Sequence, residues 1–506
     1  MKRAALAVML FLGEGQVAFT QGGFIVEFDS VQVDAAGGNS IREKGWGFLV
    51  IGHQLADDGS GRTHCMNYRI DDSGQFMDRM EWDSAADHNY FLGMIDPVVD
   101  LDEGGHQACV NQYGGGEDVM YLYHLDDNGI FTGRDTILSL DPADSVQIGV
   151  RHARGTTDGG MVVTGWRDVG SAYPKAFLLK IDSNSQVQWL KEFAPTQSLS
   201  LYGWGVTQYL DGGYLLTGNG LGNGAPDASF LLRTDTAGNQ LWRRYYGGRS
   251  APYGAVRVDS AGDIYTWSDY KDPSWPFNDW YQVLLRKWSP SGGLVWETRS
   301  HYFQFTHARD FEILPDGSLI TCATYGTVDI LAKYGAGGDS LWTRYLHVFS
   351  PASYPTLYDV QPTSDGGFAL TGYVVQDSFD ESNPTPGLQT LWVVKTDSLG
   401  CVIPGCQEVG VGEYLLDLQK RLAVSPNPAS EQVNVVLSLP ETGEIEGQAR
   451  VLLLDASGRT VLEQPVQRNL NQLRATVDVS ALPAGLYYLH LRDQKRWLAG
   501  SKLVVE

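Results

Sequence analysis

Asp211-Gly212-Gly213-Tyr214-Leu215-Leu216-Thr217-Gly218 is a tight turn followed by an apolar run, and it recurs. The same turn stands at Asp158-Gly159-Gly160-Met161, Ala261-Gly262-Asp263-Ile264, Asp316-Gly317-Ser318-Leu319 and Asp365-Gly366-Gly367-Phe368. Degenerate copies stand at Gly45-Trp46-Gly47-Phe48 and Glu103-Gly104-Gly105-His106. Seven copies about fifty residues apart mean that one supersecondary unit repeats, as a stack or a ring.

The rest of the unit reads outward from that turn. A second apolar run ends in a charged turn, as in Phe177-Leu178-Leu179-Lys180-Ile181-Asp182 and Phe230-Leu231-Leu232-Arg233-Thr234-Asp235. A tryptophan strand follows, at Trp189, Trp242, Trp296 and Trp342. Each run is short, rich in β-branched and aromatic residues, and bounded by Gly, Asp, Asn and Ser, which are strand and turn signals. No long segment has apolar residues at helical spacing. With the strand before the turn, the unit has four strands, here a to d. Such a sheet cannot bury both faces alone, and radial repetition solves this. The expected fold is all-β: a seven-bladed β-propeller over 21–406, a linker over 407–421, and a small C-terminal β-sandwich over 422–506. The seventh unit lacks its tryptophan strand, so Phe24–Phe28 is expected to supply its outer strand and close the ring.

Composition sets limits on partners. The formal net charge of −23 argues against nucleic acid and against an anionic membrane surface. Lys2 and Arg3, the apolar stretch Ala4 to Leu12, and Ala18-Phe19-Thr20 read as a signal peptide over 1–20. No stretch reaches the length of a membrane-spanning helix. Of five cysteines, Cys401 and Cys406 flank a short loop and suit a local disulfide, while Cys65, Cys109 and Cys322 have no evident pairing.

Catalytic signatures are missing: there is no Gly-x-Ser-x-Gly, no His-Glu-x-x-His and no phosphate-binding loop with Lys. The turns Asp71-Asp72-Ser73-Gly74 and Asp126-Asp127-Asn128-Gly129 lack the distal Glu of a calcium loop and read as hairpins, so no metal or cofactor is expected. Arg151-His152-Ala153-Arg154 and His307-Ala308-Arg309-Asp310 come nearest to a constellation, on channel-lining a strands. The a–b and c–d turns are tight, so length variation falls on the opposite face, where the b–c loops lie. There Tyr270, Trp275, Phe277, Trp280 and Tyr281 form an aromatic group suited to a glycan or an extracellular protein ligand. Two readings of the body stay open: a non-catalytic surface binding or adhesion protein, and a polysaccharide hydrolase or lyase using channel carboxylates.

The C-terminal segment carries four motifs in order: Pro426-Asn427-Pro428, Asp455 to Gly458-Arg459, Leu482 to Gly485 and Tyr487, and Lys502 with the apolar residues to Val505. In this it resembles the type A C-terminal sorting domain of the type IX secretion system. The resemblance implies export through the periplasm to the outer-membrane surface or the medium. It also implies two partners, the translocon and a sorting protease that removes the domain.

Overall fold

The computed structural model describes residues 23–28, 36–55, 63–82, 89–92, 97–101, 104–113, 119–139, 146–169, 173–194, 199–222, 228–246, 254–270, 280–299, 303–304, 306–325, 328–346, 353–376, 389–402, 421–439, 447–455, 459–469, 472–493 and 497–506. They divide into two compact units, one built on Val26–Ser364 and Phe368–Val394 and the other on Lys395–Glu506. Among the described residues there are strands and turns and no helix. The proposed signal peptide and most of the proposed linker lie outside them.

Up to residue 396 the strands form antiparallel sheets in a propeller-like succession. The third is typical, with Val146–Gly155, Met161–Val169, Lys175–Ile181 and Val187–Phe193 in chain order. The first strand of each sheet lies against the preceding sheet, and Ala36–Lys44 of the first lies against Ser353–Pro362 and Phe368–Gln376 of the last. Phe24–Phe28 pairs with Gln389–Thr396 as the outer strand of that last sheet, as the missing tryptophan strand requires.

The cores sit between sheets. Ile148, Val150, Met161 and Phe177 pack with Val99, Cys109 and Met120 of the sheet before. Val162 and Leu178, from the other face, pack with Leu201, Val206 and Phe230 of the sheet after. Alternation along each strand thus feeds two interfaces, and each fully buried Leu or Phe contributes about 2 kcal/mol.

Two repeated residue types meet in the structure for a physical reason. The Thr-Gly pair in the middle of the second strand faces a bulge in the first, with register shifts at Val150/His152 and Gly203/Gly205. A Cβ on Gly165 would lie 1.8 Å from Gly149 O, and one on Gly218 would lie 2.1 Å from Tyr202 O, so only glycine fits. Trp189, Trp242 and Trp296 of three successive d strands each cover the c–d turn glycine of the next sheet. A Cβ on Gly238 would fall 2.7 Å from Trp189, and one on Gly338 would fall 2.8 Å from Trp296. Both glycines also have positive φ, +75° and +86°.

The repeat carries an ion pair as well. In the third to seventh sheets the cation near the end of the c strand reaches back to the aspartate of its own a–b turn. Lys180 binds Asp158 at 2.9 Å, Lys287 binds Asp263 at 2.8 Å and Lys395 binds Asp365 at 2.7 Å, and Arg233 pairs with Asp211 in the same way. In the first sheet the turn holds Trp46 instead, and Arg69 lies 5.7 Å over its ring.

In the C-terminal unit, two four-stranded antiparallel sheets share one apolar core. Leu422–Ser425, Gln432–Ser438, Gln472–Asp478 and Gln467–Asn469 form one sheet, and Thr460–Pro465, Arg450–Leu454, Gly485–Arg492 and Trp497–Val505 form the other.

Candidate functional site

One register position of the first strand recurs around the repeat. Arg42, Val99, Arg154, Thr207, Arg257, Glu312 and Gln361 pair with the aligned second-strand residues Leu49, Gln107, Val162, Leu215, Tyr265, Ile320 and Ala369. The charged members converge. Arg154 Nη2 donates to Glu312 Oε1 at 2.7 Å, and Arg257 donates to the same oxygen from Nε at 3.1 Å and Nη2 at 2.8 Å. Arg257 also donates to Asp310 at 2.7 Å. Arg42 donates to Asp100 at 2.9 Å, to Asp359 at 3.2 Å, to Ser40 at 2.8 Å and to Val98 O at 3.0 Å.

Electrostatics follow from that pairing. Burial by itself would raise the pKa of Asp100, but the Arg42 guanidinium and His106, 2.6 Å away, outweigh it and hold the carboxyl well below the usual range. His152 is fully buried; burial and the Arg257 charge push its pKa well down, and its Nδ1 accepts from Val206 N at 3.0 Å. It serves as a neutral link to the next sheet. Asp329 is also fully buried, and burial pushes its carboxyl up to about 7.

Beside this network a cavity of about 540 Å³ opens where the a–b turns of the second, third and fourth sheets meet. Asp100, Arg154, Thr156, Thr157, Thr207 and Gln208 line it. Gln208 Oε1 accepts from Thr157 N at 2.8 Å and ties two of the turns together. The cavity thus lies among the tight turns, away from the b–c loops where the sequence pattern placed recognition.

Sequence reasoning reached part of this network. Arg154 does reach the axis, but its partner is Glu312 and not the motif His307-Ala308-Arg309-Asp310 as a whole. A bulge between Ala308 and Phe311 displaces Arg309, which donates to Thr324 Oγ1 at 3.3 Å and lies 5.3 Å over the Tyr358 ring. His307 sits 2.7 Å from Asp269. Arg42 and Arg257 were missed, although their alignment with Arg154 could be counted back from the Gly-Gly turn.

Of the aromatic group, Trp275 and Phe277 lie outside the described residues. Trp280 and Tyr281 begin a strand and pair with Gln304 and Phe303. The Tyr270 ring stacks under Arg299 at 5.1 Å. Cys401 is disulfide-bonded, Cys406 lies outside the described residues, and Cys65, Cys109 and Cys322 are buried thiols outside any disulfide. The turn aspartates are occupied by backbone. Asp182 Oδ1 accepts from Asn184 N and Gln186 N, both at 2.9 Å, and Asp126 Oδ1 accepts from Asn128 N at 2.9 Å and Ile130 N at 2.8 Å. Among the described residues no cluster of three or more His, Cys, Asp or Glu is placed to hold a metal, and no helix is long and apolar enough to cross a membrane.

The C-terminal motifs have local structural roles. Asn427 donates to Lys502 O at 2.8 Å and accepts from Val504 N at 2.9 Å, fastening the Pro-Asn-Pro segment to the last strand. Ala429 N then donates to Val504 O at 2.9 Å. Asp455 accepts from Arg459 N at 3.0 Å and from its Nε at 3.0 Å, closing a hairpin whose Gly458 lies outside the described residues. Tyr487 donates to Pro483 O at 2.8 Å, beside Leu482 and Gly485. Lys502 is half-buried, and desolvation pushes its pKa down to about 8.

Residues 423–506 match the secretion system C-terminal sorting domain family. This is a type IX sorting domain, and it marks the protein for export to the cell surface or the medium. No curated protein matches the chain. Solved structures with similar strand arrangements include a protein of unknown function from Dyadobacter fermentans, 12% identical with TM-score 0.39, over 61% of this chain and 95% of that one. A family 25 polysaccharide lyase, an ulvan lyase, is 9% identical with TM-score 0.47, over 75% of this chain and 98% of its own. An α-L-arabinanase from Penicillium chrysogenum is 12% identical with TM-score 0.38, over 62% and 93%. What those proteins cleave is a property of theirs.

Proposed function

We propose that this is an exported binding protein: a seven-bladed β-propeller over 21–406, sent out by a signal peptide over 1–20 and an immunoglobulin-like sorting domain over 422–506, joined by a linker over 407–421. The translocon and a sorting protease are its export partners. The propeller works at the surface as a non-catalytic adhesin for a glycan or an extracellular protein, held at the loop-rich face by Tyr270, Trp275, Phe277, Trp280 and Tyr281.

The observation that carries the non-catalytic reading is the state of the axial carboxylates. Asp100, Asp310, Glu312 and Asp359 each accept from an arginine. A carboxylate paired in that way is a weak base and holds no proton to donate, whereas sugar hydrolysis needs one carboxyl that is protonated and one that is free. The axis therefore serves as a rigid hub, and recognition falls to the loops around it.

The test is a glycan and matrix-protein array probed with the chain and with a Trp275→Ala, Trp280→Ala double variant. Binding that disappears in the variant, at an unchanged unfolding midpoint, supports the reading. Equal binding of every ligand on the array by both proteins contradicts it.

A further inference from the structure

We infer that the cavity among the a–b turns of the second, third and fourth sheets is a second binding site, for the end of an uncharged oligosaccharide. This goes beyond the loop-face reading, because it uses the opposite ends of the blades. At about 540 Å³ the cavity lies within the range that holds small ligands, roughly 300–1,000 Å³.

Its lining selects the chemistry. Thr157 and Thr207 bring hydroxyls, Arg154 donors and Asp100 acceptors, while the Thr156 hydroxyl is held by Asp158 and the Gln208 amide by Thr157 N and Gly212 O, which fixes the wall. The two charged groups are already compensated within the protein. An anion would have to compete with Glu312 for Arg154, which it holds at 2.7 Å. A cation would have to compete with Arg42 and His106 for Asp100, at 2.9 and 2.6 Å. A ligand with no net charge, offering many hydroxyls as donors and acceptors, disturbs neither pair. The site is also preformed. The Thr157–Gln208 bond fixes the two turns, and the ion pairs Lys180–Asp158 and Arg233–Asp211 anchor each turn to its own sheet. Preorganised polar groups lose little on binding.

The experiment is titration calorimetry of the full chain with maltose, cellobiose, xylobiose, mannobiose and lactose, with galacturonate as the anionic control and N-methylglucamine as the cationic control. The expected result is saturable binding of at least one disaccharide, with neither control bound as tightly. Thr207→Val, which keeps side-chain shape and removes one hydroxyl, weakens it about tenfold, as loss of one hydrogen bond predicts. Asp100→Asn weakens it too, and the binding component that Thr207→Val weakens persists in the Trp275→Ala, Trp280→Ala double variant, whatever that variant loses at the loop face. Failure of every disaccharide, tighter binding of a charged control, or affinity unchanged in Thr207→Val would each overturn the inference. Binding lost only in the tryptophan variant would overturn it as well, while leaving the loop-face reading intact.

Discussion

Glu312 Oε1 accepts a hydrogen bond from Arg154 at 2.7 Å, although the two residues stand 158 apart in sequence and belong to sheets three repeats apart. A contact of that span brings together first strands that stand three repeats apart. Arg257 shares the same oxygen, so one carboxylate ties three sheets.

Glu312→Gln therefore leaves two arginines without their shared anion in a largely dry place. We expect a loss of about 1–3 kcal/mol, less than the roughly 3–5 kcal/mol of a fully buried pair, because Arg257 keeps Asp310 and Arg154 is partly exposed. Urea unfolding followed by tryptophan fluorescence reads it as a lower midpoint at unchanged slope.

The repeat ion pair predicts a coupling. Asp158→Ala strands Lys180, whose side chain is only 2% exposed, and costs about 1–3 kcal/mol. Adding Lys180→Met removes the orphaned charge. The double variant is then more stable than additivity allows, by about 1 kcal/mol.

The buried Asp329 has a pH signature. Its carboxyl is raised from 3.8 to about 7, so the folded state keeps a proton that the unfolded chain gives up. Its contribution to stability is complete below pH 3.8 and is lost as pH rises to about 7. The buried His53 and His490, both pushed down to about 4, act with the opposite sign over an overlapping range, so the parent's own curve mixes these effects. The difference between Asp329→Asn and the parent isolates the aspartate. The variant gains on the parent from pH 4 to pH 7, at up to about 1.4 kcal/mol per pH unit. A flat difference curve contradicts the assignment.

Asn427 makes two hydrogen bonds to the backbone of the last strand. Asn427→Ala is expected to cost about 1–2 kcal/mol in the sorting domain. Fractionation of cells expressing it should show less protein at the surface and more in the periplasm.

Much of the architecture was legible because it is written in short-range chemistry. The Asp-Gly-Gly turns, the Thr-Gly pairs and the tryptophan strands each announce a strand or a turn, and their period announces the repeat. The need for Phe24–Phe28 to complete the last sheet followed from a missing strand. The axial network was less legible, since an arginine at one register position means nothing until the alignment of the repeats is laid out. Even then, the bulge at Ala308/Phe311 moves Arg309 away from the place that its motif suggested. The pairing of Lys180 with Asp158, or Trp189 with Gly238, joins features that were visible separately, and only the sheet geometry brings them together. The cavity was not legible, because it is formed by backbone turns from three sheets at once.

The most direct test of the exported-binder account follows one polysaccharide panel in two ways with the same protein: retention on immobilised polymer, and release of reducing or unsaturated sugar ends. The account predicts saturable retention with no product above a heat-denatured control. Product formation that vanishes in Asp310→Asn or Glu312→Gln, with the fold intact, would contradict it and make the axis a catalytic centre.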